Sequence, residues 1–522
     1  MTDVVVEKRS ALQKVLDAIE RAGNKVPHPV IIFLALIALI MILSAIFQAV
    51  GSSVTFDRAT LGSDELESVT VTARSLLDAD GLRFVFTSPV ANFNNFGVVG
   101  VIVVAMIGVG MAEEVGLIAA FIKRLVKVTP PRAITFIIVL LGVLSSIATD
   151  AGYLVLIPLA AAVFYSLGRH PLAGLAAAFA GVGGGFGVNL LITPVDGMLA
   201  EITNESITDP ANHVSITGNL YFGIVSTLLV TVVVTLLTEK FVEPRLGAYD
   251  PAEAPEDAAA SEPPSGELSA EERNGLRWAF WGFVGVTVVV LALSLPPNAV
   301  LRNPETGSLI EDSPLLNSII FLILVYFFVM GLCYGKGAGT IKGSMDVINP
   351  MTKTIAGLSG LIFLLLVISQ FIAYFNYSNL GTLAAVNMAD ALESANLSTV
   401  WLILGLIAMT AVIDIFIGGV VPKWAIFAPV FVPLFVQLGI SPNLAMAAYR
   451  VGDSPINVAT PLMPYFALIV IFAERYRRKV GVGSVISLML PYTVVLLIAW
   501  SALLVVWYLL GIPLGPGAPI YL

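Results

Sequence analysis

Six ionisable side chains interrupt stretches of this chain that are otherwise apolar: Asp150, Asp196, Asp414, Lys423, Arg450 and Asp453. A charge surrounded by hydrocarbon is costly, so each needs a partner, a water-filled cavity or a task. The polar residues beside them are hard oxygen donors. Asn189, Thr193 and Asp196 follow the run Gly181-Val-Gly-Gly-Gly-Phe-Gly187, and a second polar break reads Arg450-Val-Gly-Asp453-Ser-Pro455-Ile-Asn457-Val-Ala-Thr460-Pro461. Glycine costs about 1 kcal/mol per residue inside a helix, so five within seven residues argue that the helix unwinds there; close packing of helices through small residues is the plainer alternative. Carbonyls freed by unwinding, with Asp, Asn and Thr oxygens, suit Na⁺, and half-helix N-termini favour an anionic substrate group. This chemistry makes Asn189, Asp196, Asp453 and Asn457 candidate Na⁺ ligands and adds Asp414 and Lys423 as candidate ion-coupling groups. Arg450 and Asp453, three apart on one helix, also fit a plain pair that fastens helices. Glu113 and Glu114 sit near the end of an apolar run and read as interfacial.

Other chemistries find little support. His28, His170 and His213 lie far apart without zinc-enzyme spacing, and the lone Cys333 excludes a disulfide framework or a multi-thiolate site within one subunit. A net charge of −9 opposes nucleic-acid binding, which needs a basic excess. No metal cluster or organic cofactor is expected, only Na⁺ or H⁺ as a coupling ion.

The elements that must position these residues belong to a membrane protein. Of 522 residues, 57% are hydrophobic and 12% charged, with a mean hydropathy of +0.92, against about 25% charged in soluble domains. A span needs about 20 apolar residues. Candidates are roughly 30–50, 97–120, 171–196, 219–238, 278–295, 315–333, 355–375, 442–473 and 484–511. Two further stretches, about 133–166 and 399–440, are too long for one span and are broken at Ser145–Asp150 and Gly418–Lys423. They read as re-entrant hairpins, whose irregular backbone must be sheltered by protein or by a water-filled cavity. The fold class expected is therefore all-α and integral to the membrane: nine transmembrane helices, two re-entrant hairpins, and inverted repeats with broken helices.

Basic residues orient the segments. Lys8, Arg9, Lys14, Arg21 and Lys25 place the N-terminus in the cytoplasm, and the clusters around Lys123–Arg132, Lys240–Arg245, Lys336–Lys353 and Arg475–Lys479 all fall on that side with nine spans and two hairpins. Segment 51–96 is then external. The polar, charged N-terminus shows no cleavable signal. Four regions follow: a cytoplasmic segment 1–25, a first membrane half 26–240, a linker 241–275 and a second half 276–522. Residues 250–272 hold eight acids and no Lys or Arg, a flexible composition, before a capping box at Ser269-Ala-Glu-Glu272.

An internal repeat ties the halves together. A shift of 271 positions brings Tyr153 onto Trp424, Pro158 onto Pro429, Phe164 onto Phe435, Leu167-Gly168 onto Leu438-Gly439, Pro171 onto Pro442, Ala176-Ala177 onto Ala447-Ala448 and Gly181 onto Gly452. A slightly different shift brings Asn189 onto Asn457. The Gly and Pro matches weigh most because they pin backbone geometry. Inverted repeats with discontinuous helices imply a secondary active transporter, with its site where the repeats meet.

At Pro27-His28-Pro29, Ser166–Gly181, Ala447–Asp453 and Gly515–Pro519 the chain resembles the AbgT family of bacterial inner-membrane p-aminobenzoyl-glutamate transporters, from about residue 25 onward. The resemblance implies a homodimer with nine spans and two hairpins per subunit. It implies import of a folate breakdown product or proton-driven efflux of sulfonamide-type antimetabolites. It places functional positions on Asp196, Trp424, Pro442, Arg450, Asp453 and Pro461, with Asn457 as a sodium ligand. This chain departs from the pattern at Asp414, where the family has Asn, and at Val420-Val421-Pro422-Lys423, where the family has a Ser/Ala-rich tip ending in Gln. Two new opposite charges flanking one break are best explained as partners, the alternative being that Lys423 snorkels into an aqueous cavity and never meets Asp414. Trp424 is expected to stack on an aromatic substrate ring or, alternatively, to wedge the hairpin. Asp196 and Asp453 are expected to face each other across the repeat interface.

Alternatives of other classes are weaker. Another small anionic metabolite could ride the same elevator-like scaffold. An intramembrane aspartyl protease needs Gly-x-Gly-Asp and Tyr-Asp within spans, whereas Tyr249-Asp250 lies in the linker, so no enzymatic activity is expected. A channel would favour rings of repeated charge over single embedded ones.

Overall fold

Glycine and proline punctuate the helices where the sequence breaks them. The computed structural model describes residues 29–59, 66–147, 152–207, 209–253, 268–309, 313–394, 398–461, 463, 465–478 and 480–522. Asp150, the N-terminal segment 1–25 and most of the acidic linker lie outside the described residues. Among the described residues, seven helices are long and apolar enough to cross a membrane, or up to nine if each of two bent pairs forms one span. Length and composition count Val420–Gln437, which belongs to the second hairpin, and miss the two broken helices, whose halves are too short to register singly.

The first hairpin runs down Ile134–Leu144 and returns along Ile157–Ser166, with its tip at Ser145–Ile147 and Gly152–Leu156. The second runs down Thr399–Asp414 and returns along Val420–Gln437, turning at Gly419, whose φ of +86° only glycine adopts readily. Each hairpin is followed by a broken helix: Pro171–Val182 then Pro194–Glu205, and Pro442–Asp453 then Phe466–Glu474. Both arms of each hairpin pack against the first half of the broken helix that follows.

Repeat-related positions do the same work. Gly168 and Gly439 turn the chain with φ of +70° and +67°, and Pro171 and Pro442 each begin the next half-helix. His170 Nδ1 accepts the Leu172 N–H, and Ser441 Oγ accepts the Asn443 N–H, as side-chain caps. Burial pushes the His170 imidazole below its ordinary range, which favours the neutral ring this cap requires. Gly181 and Gly452 let the first hairpin arm close in: a Cβ would lie 2.7 Å from Val139 O in one repeat and 2.6 Å from Ile407 O in the other. Gly181→Ala and Gly452→Ala are each expected to cost about 1–3 kcal/mol through overpacking, read as a lower melting temperature of the purified protein.

Helix Leu220–Leu237 continues through Thr238–Val242 to Leu246, so the boundary expected at 240 falls inside a helix. The backbone N–H groups of Tyr221 and Phe222 donate to Leu514 O at one end of this rod, and Arg169 binds Glu243 at 2.5 Å at the other. The loop of the first hairpin is therefore at the Glu243 end. The loop of the second hairpin is at the Leu514 end, where Ser441 N–H donates to Ile520 O and Leu522 N–H to Gly439 O. A rod of this length spans about 40 Å at 1.5 Å per residue, so the two hairpins enter from opposite sides, as the charge pattern predicts. Lys123–Glu272, Lys353–Glu114 and Arg477–Glu253 ion pairs each join segments assigned to the same face. On that face Tyr249 packs among Tyr165, His170 and Tyr476 and donates to Tyr476 O, forming a belt between the first hairpin's loop and the end of the second broken helix.

Several elements depart from the expectation. Segment 51–96, expected to be external, holds a two-stranded antiparallel ribbon, Ser53–Ala59 with Leu66–Thr72, and the short helices Ala79–Thr87 and Pro89–Asn95. Leu117–Val128 is a separate helix, set at 119° to the start of the first hairpin. Its second half carries Lys123, Arg124 and Lys127, which would not enter hydrocarbon. Span 171–196 ends at Val182, because the five clustered glycines unwind the chain before Pro194 restarts it. The capping box at Ser269 and Glu272 opens helix Ala270–Ser294 as expected.

Candidate functional site

The two breaks cross one another. Gly187 N–H donates to Ser454 Oγ at 2.9 Å, and the Arg450 guanidinium donates to Gly187 O at 2.9 Å and to Asp196 Oδ1 at 2.6 Å. Asp196 owes its position to the restart of the helix after Pro194. Its Oδ2 accepts from the Thr193 N–H and hydroxyl at 2.7 and 2.8 Å, while Thr193 Oγ1 accepts the Asp196 N–H, a reciprocal capping box. The N-terminus of this half-helix is thus already served by its own carboxylate, and the cation that lines the cleft beside it is Arg450.

Asn189, Asp196 and Arg450 line a narrow cleft walled by Leu191, Ile192 and Phe222. Asn219, the residue before helix Leu220–Leu237, also lines it, with both amide atoms buried and unpartnered among the described residues. Arg450 Nε is likewise unpartnered. Buried donors without acceptors are costly, and these converge on one cleft. Asn189 Nδ2 donates to Leu144 O at 3.1 Å and Ser146 Oγ at 3.0 Å, with Val143 O at 3.4 Å. The tip of the first hairpin therefore brings neutral oxygens to the first break, a donor set that suits Na⁺.

A second cluster lies one helical turn away. Lys423 contacts Asp414 Oδ1 and sits 2.6 Å from Asp453 Oδ1, with all three side chains at most 1% exposed. The expected Asp414–Lys423 partnership is present, and Asp453 completes it. Tyr449 hydroxyl donates to Asp453 Oδ1 at 3.0 Å and Asn457 Nδ2 approaches Oδ2 at 3.4 Å. Arg450 and Asp453 are not each other's partner, because side chains three apart on this half-helix diverge to different clusters. Asp196 and Asp453, expected to face each other across the repeat interface, are each held by a cation, Arg450 and Lys423 respectively.

Trp424 is fully buried. Its indole N–H donates to Thr203 Oγ1 at 3.0 Å and Leu199 O at 3.3 Å, and its ring lies 4.9 Å from that of Tyr449. In this conformation it wedges the second hairpin against Pro194–Glu205 and offers no face to a substrate. Its repeat mate Tyr153 stacks on Tyr465 at 4.5 Å, so each hairpin's aromatic packs on the opposite repeat's broken helix. Pro442 starts a half-helix and does not line the cleft, since a proline without an N–H serves best at a helix start. Pro461 follows Thr460 in the second break, outside the cleft lining. Asn219, Tyr449, Ser146 and Ser454 escaped the sequence reading. Two of them had a signal: Ser146 lies within the break at Ser145–Asp150, and Ser454 stands beside Asp453 within the second break.

Inverted hairpin repeats whose breaks cross at a polar cleft define a membrane transporter of the secondary type. The chain belongs to the AbgT putative transporter family, whose model it matches over residues 14–522. It is 35% identical over 503 residues to the p-aminobenzoyl-glutamate transport protein of Escherichia coli (strain K12), covering 96% of this chain and 95% of that one. Its fold is similar to the YdaH transporter of Alcanivorax borkumensis, with 42% identity, a TM-score of 0.85, and 94% of this chain and all of that one covered (100%). It is also similar to MtrF of Neisseria gonorrhoeae, described within a class of antimetabolite efflux pumps, with 40% identity, a TM-score of 0.89, and 97% and 100% coverage.

Proposed function

We propose that this transporter moves p-aminobenzoyl-glutamate-like folate catabolites, sulfonamide-type antimetabolites, or both across a bacterial inner membrane, driven by a proton or sodium gradient. It would do so as a homodimer, each subunit with nine spans, two hairpins and a cytoplasmic N-terminus. The observation that carries the reading is the cleft at the crossing of the two breaks, where Arg450 Nε–H and the Asn219 amide wait unpartnered beside Asp196. A substrate carboxylate would satisfy the guanidinium, and a neighbouring amide or arylamine would satisfy Asn219. The apolar wall formed by Leu191, Ile192 and Phe222 would take an aromatic ring. Asp196, already fixed by Thr193, holds Arg450 in place before substrate arrives, and opening the cleft requires the hairpins to shift against the crossed breaks.

The test is flux of labelled p-aminobenzoyl-glutamate and of a sulfonamide in proteoliposomes, under Na⁺ or H⁺ gradients of either sign. Gradient-dependent flux is expected. Absence of flux for both compounds under every gradient, with transport of another small anion, would overturn the substrate assignment and leave the same scaffold serving a different metabolite. Asn219→Ala is expected to raise KM about tenfold, the loss of about 1.4 kcal/mol, with little change in melting temperature because no protein partner is lost. An unchanged KM would remove Asn219 from the site.

A further inference from the structure

We infer that Lys423 is a tethered cation that fills the cation site of the second repeat, so that this half of the transporter binds no Na⁺. The inference deepens the transport reading above and rests on it for meaning, though its test needs no substrate. The family resemblance implies a sodium ligand at Asn457, beside Asp453, and the residues present do not fit one. The Lys423 ammonium lies 2.6 Å from Asp453 Oδ1 and also contacts Asp414 Oδ1, with no solvent exposure of Lys423 or Asp414. A Na⁺ held by those oxygens would have to share their lone pairs with an ammonium at contact distance, where two unit positive charges repel strongly.

The comparison between repeats sharpens the point. Under the 271-residue shift, Asp414 corresponds to Val143, Lys423 to Gly152 and Asp453 to Val182. The first repeat is therefore uncharged where the second carries all three ionisable groups. Around Asn189 the first repeat gathers carbonyl and hydroxyl oxygens from Val143, Leu144 and Ser146. Around Asn457 the second repeat gathers carboxylates together with the cation that neutralises one of them. Among the described residues, the charged and titratable groups at Lys423 all belong to this arrangement: Asp414 on the first arm of the second hairpin, Asp453 on the half-helix, and Tyr449 donating to Asp453. Arg450, the next cation along, is held away by Asp196. Asp414 Oδ2 is buried and has no hydrogen-bond partner among the described residues, so the pocket retains a ligand should the ammonium be removed.

The experiment counts Na⁺ bound to purified protein in detergent, without substrate, by equilibrium dialysis against radioactive sodium. Native protein is expected to bind no more than a single Na⁺ per subunit. Lys423→Gln is expected to gain an additional Na⁺ with a matching Na⁺-dependent rise in melting temperature, and adding Asp414→Asn should remove both gains. Lys423→Arg keeps the cation and is expected to retain the native count, as is Asp414→Asn alone. Two Na⁺ per subunit in native protein, loss of native Na⁺ binding in Asp414→Asn, or no gain in a folded Lys423→Gln would each overturn the inference. Should Lys423→Gln not fold, the native and Lys423→Arg counts decide it alone. Failure of the substrate assignment would leave all of these counts unchanged.

Discussion

Arg450→Ala is expected to abolish transport and to lower stability by about 3–5 kcal/mol, the cost typical of stripping one partner from a buried ion pair. The side chain of Arg450 is 4% exposed and that of Asp196 17%. One guanidinium nitrogen spans Gly187 O and Asp196 Oδ1, and so joins the second repeat's half-helix to the first repeat's unwound stretch. Alanine would leave Asp196 with only the Thr193 donors and would remove the cation from the cleft. Arg450→Lys separates the two consequences. A point-like ammonium restores charge and can donate to both acceptors, but it lacks the rigid fork that places the Arg450 Nε–H in the cleft at the same time. Its melting temperature should recover most of the loss while initial transport rates stay at least about tenfold below native, close to 1.4 kcal/mol in transition-state stabilisation. Native rates in the alanine variant would remove Arg450 from the site.

Trp424→Ala is expected to cost about 3–5 kcal/mol, as large aromatic truncations in packed interiors do. Trp424→Phe should cost about 1–3 kcal/mol, because the ring still packs on Tyr449 but Leu199 O and Thr203 Oγ1 lose their indole donor. Both losses should appear in thermal melts. If the side chain acts as the wedge seen here, the phenylalanine variant should transport with nearly native KM. A large rise in KM without loss of stability would show instead that Trp424 meets substrate in another conformation.

The hairpins, the broken helices and the repeat were legible because lipid forbids irregular backbone except where it is sheltered. A proline or glycine cluster inside an apolar run is therefore a strong signal. Asp414 and Lys423 were legible as partners because buried opposite charges close together in sequence have few other ways to be satisfied. Asn219 was not: it precedes an ordinary-looking span and meets Arg450 only through the tertiary fold. Tyr449 was hidden for a related reason, since its ring looks like core packing and only its hydroxyl, aimed at Asp453, gives it a polar role. The pairing of Arg450 with Asp196 instead of Asp453 depends on which side of the half-helix each partner approaches, and spacing along the chain cannot convey that. The ribbon at Ser53–Thr72 was not anticipated, since segment 51–96 was read only for its side of the membrane.

The two hairpin loops are restrained by segments of different chemistry. The second is tied by backbone hydrogen bonds from Ile520 and Leu522, which dissolved salt scarcely affects. The first is flanked by Arg169 with Glu243, by Arg477 with Glu253 and by the Tyr249 belt, and the Arg477 and Glu253 side chains are 49% and 41% exposed. At physiological ionic strength the Debye length is about 8 Å and exposed pairs weaken as salt rises. The two faces therefore differ in their sensitivity to electrolyte: concentrated salt on the side of the basic clusters loosens one restraint and spares the other. Ionic strength, applied to one face at a time, becomes a handle for biasing which hairpin moves first.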